Sequence, residues 1–136
     1  MFYFVYNDLS VKVINTALEL RDKFKEIKQR HEHTLYSNFN LKSNVDINLK
    51  CGIHIGKVLF GYWHTPLRAQ ITAIGNEVNF CSRLESFADL DQIIVSEQMK
   101  NIIKHDFLTK EIEIPENKKL KSYEDVRYVY EIIGRK

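Results

Sequence analysis

Asn79 and Arg83 lie one helical turn apart, just after Ile71-Thr-Ala-Ile-Gly75, which reads as a strand end closed by a glycine. Residues four apart on a helix share a face. The amide and the guanidinium therefore point the same way, with Asn76 close by at the helix start. Thr72 approaches from the strand. An alcohol, an amide and a guanidinium brought to one ligand in that order suit a purine nucleotide. The planar guanidinium fork matches phosphoryl oxygens and keeps its charge. Backbone N–H groups at the helix start after Gly75 add a positive dipole end, suited to phosphate or a polarised hydroxyl. A plainer reading competes: Asn79 solvates a surface helix and Arg83 pairs with Glu77 or Glu85. For an arbitrary Asn-x-x-x-Arg that reading would prevail, because exposed helix faces usually carry such residues.

Other chemically capable residues carry less. His31 and His33 have no third ligand near them in sequence, so they read as surface histidines rather than a zinc site. His54 alternates with Ile53 and Ile55 on an expected strand and should face away from the apolar side. It reads as a structural or dimer-interface residue rather than a base. Gly52-x-x-x-Gly56 lacks the Lys-Ser/Thr that completes a phosphate-binding loop. Cys51 and Cys81 show no framework spacing and read as reduced, half-buried residues of a cytoplasmic protein. Tyr62 and Trp63 at a strand exit read as packing or partner contacts.

The elements that must position these groups follow from periodicity. A chain of 136 residues, 44% hydrophobic and 28% charged, fits one domain, residues 1–136, with a modest core. A net charge of +2 is too small for a nucleic-acid binder, and Lys118-Lys119-Leu-Lys121 reads as a solvated hairpin. Met1-Phe-Tyr-Phe-Val-Tyr6 is too short to span a membrane and lacks the flanks of a secretory signal. It reads as a core strand that starts abruptly, as if preceding elements were missing. Asn7, Asp8 and Ser10 offer caps to a helix with Val13, Ala17, Leu20, Phe24 and Ile27 on its apolar stripe. The polar segment from His31 to Asp46 reads as a loop. Val45 to Phe60 reads as a long strand or hairpin interrupted at Gly52 and Gly56, and Gln70 to Ile74 as a further strand. A helix from Asn76 to Ala88 should bury Val78, Cys81, Leu84 and Ala88. Ile93 to Val95 reads as a short buried strand, and Ser96 caps a helix running to about Lys104. Phe107 to Ile114 and Val126 to Ile133 close the chain as two strands joined by a polar hairpin. The order β-α-β-β-α-β-α-β-β predicts an α+β sheet of the ferredoxin-like kind, with its helices on one face.

Arg68-Ala-Gln-Ile-Thr-Ala-Ile-Gly-Asn-Glu-Val-Asn-Phe-Cys-Ser-Arg-Leu-Glu85, preceded by Cys51-Gly-Ile-His-Ile-Gly-Lys-Val-Leu-Phe-Gly61, resembles the second half of a class III adenylate/guanylate cyclase catalytic domain. Ala17-Leu-Glu-Leu, Ile93-Ile-Val-Ser-Glu97 and the stretch from Leu120-Lys121-Ser to Val129-Tyr-Glu-Ile132 agree with the family in order. The Thr72 to Glu85 part is specific; the rest is supportive. The resemblance implies roles by position. Thr72 reads the purine, where Thr or Asp usually goes with ATP. Asn79 orients the ribose, with Asn76 beside it in the substrate site. Arg83 stabilises charge on the α-phosphate, and Lys121 resembles the hairpin lysine that contacts the triphosphate.

The resemblance also implies what is lacking. The family holds two magnesium or manganese ions with two aspartates, one on its first strand and one in the turn before its third core strand, and these metals activate the attacking hydroxyl. Neither motif occurs here, Asp8 comes too late to substitute, and the upstream purine-contacting lysine is absent. Met1 to Val5 aligns with the strand that follows the second aspartate. The expectation is thus an N-terminally truncated cyclase domain, inactive alone. It would turn ATP into cyclic AMP and pyrophosphate only with a second, metal-bearing cyclase subunit, in intracellular signalling. The alternatives are a non-catalytic dimerising or regulatory module, and an interaction domain that has lost nucleotide binding. Missing strands should leave an open sheet edge and exposed apolar surface.

Overall fold

The computed structural model describes residues 6–39, 48–115, 123 and 125–136. Its elements are α1 (Tyr6–Phe39), β1 (Cys51–Ile53), β2 (Leu59–Thr65), β3 (Arg68–Ile74), α2 (Asn76–Phe87), β4 (Ile93–Val95), α3 (Glu97–Ile103), β5 (Phe107–Glu113) and β6 (Tyr128–Arg135). The expected opening strand lies outside the described residues except for Tyr6, which is helical.

A mixed sheet in the order β1-β4-β6-β5 forms the body. β1 and β4 run parallel, with Gly52 opposite Ile94, whereas β6 pairs antiparallel with both β4 and β5. Strand alternation sends successive side chains to opposite faces, and the short apolar run of β4 serves both. Ile93 and Val95 join Ile14, Ala17, Leu18, Met99, Ile103, Tyr130 and Ile132 in one core cluster. Ile94 and Val129 join Phe80, Leu84 and Ala88 in another. The α+β ferredoxin-like sheet is as expected, but the helices are divided: α1 and α3 cover one face and α2 the other. The expectation of helices on one face therefore needs correcting. A strand buried on both faces shows a continuous apolar run, and Ile93-Ile94-Val95 is such a run.

Two boundaries and one buried face also differ from the sequence reading. α1 continues through His31–Phe39 instead of yielding to a loop. Polarity alone does not stop a helix, and no glycine or proline interrupts Tyr6–Phe39. The strand reading over Val45 to Phe60 is interrupted between Ile53 and Leu59, around Gly56 as expected, but Gly52 lies within β1; Val45 to Ile47 lie outside the described residues. The helix after Gly75 centres its buried face on Phe80 and Leu84, while Val78 and Cys81 are half-buried.

Gly52 permits the closest contact in this architecture. A Cβ there would lie 2.4 Å from the backbone nitrogen of Glu85 and 2.7 Å from the carbonyl oxygen of Cys81. α2 thus rests directly on β1, and the Cys81 thiol donates to the Gly52 carbonyl at 3.2 Å.

β2 and β3 form a separate antiparallel hairpin, closed by Pro66 and Leu67. Thr65 fastens the turn: its Oγ1 accepts from the Arg68 amide at 3.1 Å and donates to the Arg68 carbonyl at 3.2 Å. Phe60, Tyr62 and Ile71 share one face of the hairpin and are 70%, 67% and 69% exposed. Leu9, Val13, Leu20 and Ile27 are likewise exposed along one side of α1, next to its buried stripe. Apolar surface of this extent is the kind that marks an interaction site.

Candidate active site

α2 starts where β3 stops. Ile74 ends the strand, Gly75 turns the chain with φ of 152°, and Asn76 opens the helix. That φ is a conformation that side-chain-bearing residues rarely adopt, so glycine is the residue that can link strand to helix here. The Gly75 carbonyl accepts from the amides of Val78 at 3.1 Å and Asn79 at 3.4 Å, closing the first turn.

Successive helix residues rotate by about 100°. Asn76, Asn79 and Arg83 therefore fall within one narrow sector, about a right angle round the helix from the side that packs on the sheet. All three are exposed, while Phe80, Leu84 and Ala88 are buried. A cavity of about 350 Å³ opens at the strand–helix junction, lined by Ala73, Ile74, Gly75, Asn76, Val78 and Asn79. The structure thus brings Asn76 and Asn79 together around one depression. Arg83 lies one turn along the helix from it. Thr72 is half-buried on β3, opposite Gly61, ahead of the lining residues. Lys121 lies outside the described residues, as do the side chains of His31 and His33.

The bland alternative for Arg83 fails here. Its side chain pairs with neither Glu77 nor Glu85, and its guanidinium has no ionic partner among the described residues. The Glu77 carboxylate is instead taken by His54, Nε2 to Oε2, at 2.5 Å. His54 does point away from Ile53 and Ile55, as alternation suggests, but α2 covers that face, so its imidazole is 3% exposed against Phe80 and Glu77. The cysteines are half-buried as expected. Burial pushes both thiols above their ordinary range, with Cys81 and Glu85 adding to the effect at Cys51.

Among the described residues, no group of three or more His, Cys, Asp or Glu side chains could hold a metal ion. The divalent cation that a cyclase domain generally uses finds no ligand set there. No helix among the described residues is long and apolar enough to cross a membrane.

A mixed sheet with three helices is the fold of nucleotide-cyclase catalytic domains. The sequence model of the adenylate and guanylate cyclase catalytic domain matches residues 6–127, and the chain belongs to that family. Among solved structures, the adenylyl cyclase CyaB from P. aeruginosa superposes with a TM-score of 0.77 at 21% identity, over 93% of this chain and 60% of that one. The guanylyl cyclase Cya2 gives 0.75 at 18% identity, over 96% and 60%. The guanylate cyclase domain of RhGC from Catenaria anguillulae, solved in complex with GTP, gives 0.70 at 22% identity, over 93% and 60%. No curated protein sequence matches the chain. The chain therefore spans about 60% of the length of these solved relatives, which include both adenylyl and guanylyl cyclases.

Proposed function

We propose that this chain supplies the purine-reading and transition-state half of an adenylate cyclase-type site, turning ATP into cyclic AMP and pyrophosphate in intracellular signal transduction. One observation carries the reading: Asn79 and Arg83 leave the same exposed face of α2, without side-chain partners among the described residues, beside the cavity at the helix start. In this reading Thr72 contacts the adenine, Asn76 and Asn79 bind and orient the ribose, and Lys121 reaches the triphosphate. The ribose 3′-oxygen forms a bond to the α-phosphorus, the bond to the bridging oxygen breaks, and pyrophosphate departs with that electron pair. Arg83 sits where negative charge builds on the α-phosphate, and the proton of the 3′-hydroxyl leaves to a group outside this chain. In this reading a second, metal-bearing cyclase subunit would hold the magnesium or manganese, which would activate that hydroxyl. The resemblance supports ATP over GTP, because the family position that Thr72 occupies usually holds Thr or Asp where the substrate is ATP.

A second reading is a non-catalytic dimerising module that regulates an intact cyclase. The exposed apolar face of Phe60, Tyr62 and Ile71 favours it. One experiment separates the two. The purified chain is mixed with an intact cyclase whose own counterparts of Asn79 and Arg83 have been replaced. Restored cyclic AMP formation supports the catalytic reading. A complex seen by chromatography without turnover supports the regulatory one. Failure of ATP analogues to bind any such complex leaves a plain interaction domain.

A further inference from the structure

α2 has no side-chain cap at its start, since Gly75 occupies the capping position. Its first turn is held from another direction. Glu77, in that turn, sends its carboxylate to Nε2 of His54, whose Nδ1 lies 2.8 Å from the hydroxyl of Ser96. Ser96 caps α3, accepting from the Met99 amide at 3.3 Å. The Glu77 carboxylate only accepts, so Nε2 carries a hydrogen and donates it to Glu77. The Ser96 hydroxyl, with one proton to give and a second lone pair free, serves as partner to Nδ1. The imidazole meets Phe80 edge-on, with centroids 4.8 Å apart. Gly56 leaves room for this arrangement: a Cβ there would come within 2.6 Å of Cγ of Glu77. Tyr123 packs on Phe80 from beyond, with centroids 4.5 Å apart.

Serine, histidine and glutamate in this order look like a hydrolytic triad. Ser96 is only 1% exposed and is committed to capping α3, so no substrate carbonyl reaches it. The node joins three elements instead: the end of β1, the start of α3 and the first turn of α2. The Glu77 side chain is 35% exposed, but the His54 imidazole is only 3% exposed, and a buried ring N–H needs an acceptor, which Glu77 supplies.

We propose that His54 is a positioning residue: by holding Glu77, it fixes the first turn of α2 and hence the direction in which Asn76, Asn79 and Arg83 project. This rests on the nucleotide-cyclase reading of that face for its consequence, although the anchoring itself is independent of it. The test compares His54→Gln, His54→Asn and His54→Ala. The longer amide places an N–H where Nε2 was and keeps the donor to Glu77; the shorter one reaches only towards Ser96; alanine keeps neither. Hydrogen exchange at the Val78 and Asn79 amides reads the turn directly, and kcat in the mixed-subunit assay reads its consequence. Alanine and asparagine should speed exchange at these amides, and lower kcat, by about tenfold or more, while chain–partner affinity and exchange at Ile94 and Val95 stay unchanged. Glutamine should restore both towards the unmodified chain. Glu77→Ala should reproduce the local exchange loss while leaving the Met99 amide protected, which guards against variants that merely unfold. Unmodified exchange in His54→Ala, or a glutamine variant no better than alanine, would overturn the proposal. Exchange is read without nucleotide or partner, so absence of turnover from the unmodified chain would count against the proposed function alone.

Discussion

Arg83 has an exposed guanidinium with no ionic partner among the described residues, so removing it should cost the fold little. Surface substitutions that break no named interaction usually stay within about 0.5 kcal/mol. Arg83→Ala should therefore leave the denaturant midpoint unchanged while lowering complemented turnover by about 10²–10³-fold, the effect of removing one group that stabilises transition-state charge. Unchanged turnover would reject the assigned role. The thiols offer a second check at this scale. Burial raises both Cys51 and Cys81 above their ordinary range, so less thiolate is present near neutral pH than in a free cysteine. Alkylation by iodoacetamide should be slower than for a free thiol at pH 8, and should gain rate only as pH rises further. The Asn–Arg face was legible from spacing alone, because helical periodicity needs no tertiary information. The setting of His54 was not: alternation turns it away from Ile53 and Ile55, but periodicity does not say that α2 covers the face it turns to.

At the scale of elements, α2 is positioned chiefly by what lies beneath it. The added carbon of Gly52→Ala would meet backbone atoms of Glu85 and Cys81, which cannot swing away as a flexible side chain would. Overpacking of this kind costs about 1–3 kcal/mol. Urea unfolding should show a lower midpoint with an unchanged m-value, and the displaced helix should also lose complementation. Short apolar runs with clear punctuation were the most readable elements. Ile93–Val95 and the Ser96-capped helix have the boundaries that their residues suggest. α1 shows the opposite case. Asn, Ser and His after Arg30 suggested a loop, yet nothing there forbids a helix already under way, because propagation is far easier than nucleation. The division of α2 from α1 and α3 across the sheet was equally hidden. Which face a helix covers depends on the path of its connections, and periodicity does not encode that path.

For the molecule as a whole, the unburied apolar surface sets behaviour in solution. Phe60, Tyr62 and Ile71 on the hairpin, with Leu9, Val13, Leu20 and Ile27 on α1, expose more hydrocarbon than isolated surface residues would. Light scattering should detect association that grows with concentration, and Phe60→Lys combined with Ile71→Lys should shift the population towards monomer. A monodisperse monomer in the unmodified chain at all concentrations would contradict this. The seam at Gly75 gives the hairpin a further significance. A single residue separates the last rung of that exposed ladder from the helix bearing Asn79 and Arg83. A companion clasping the ladder and a small molecule held at the helix would therefore pull on opposite ends of one short lever. If the lever is stiff, reciprocity demands that each event alter the other's affinity by an identical factor. Assembly would then sense nucleotide as faithfully as the nucleotide site senses assembly.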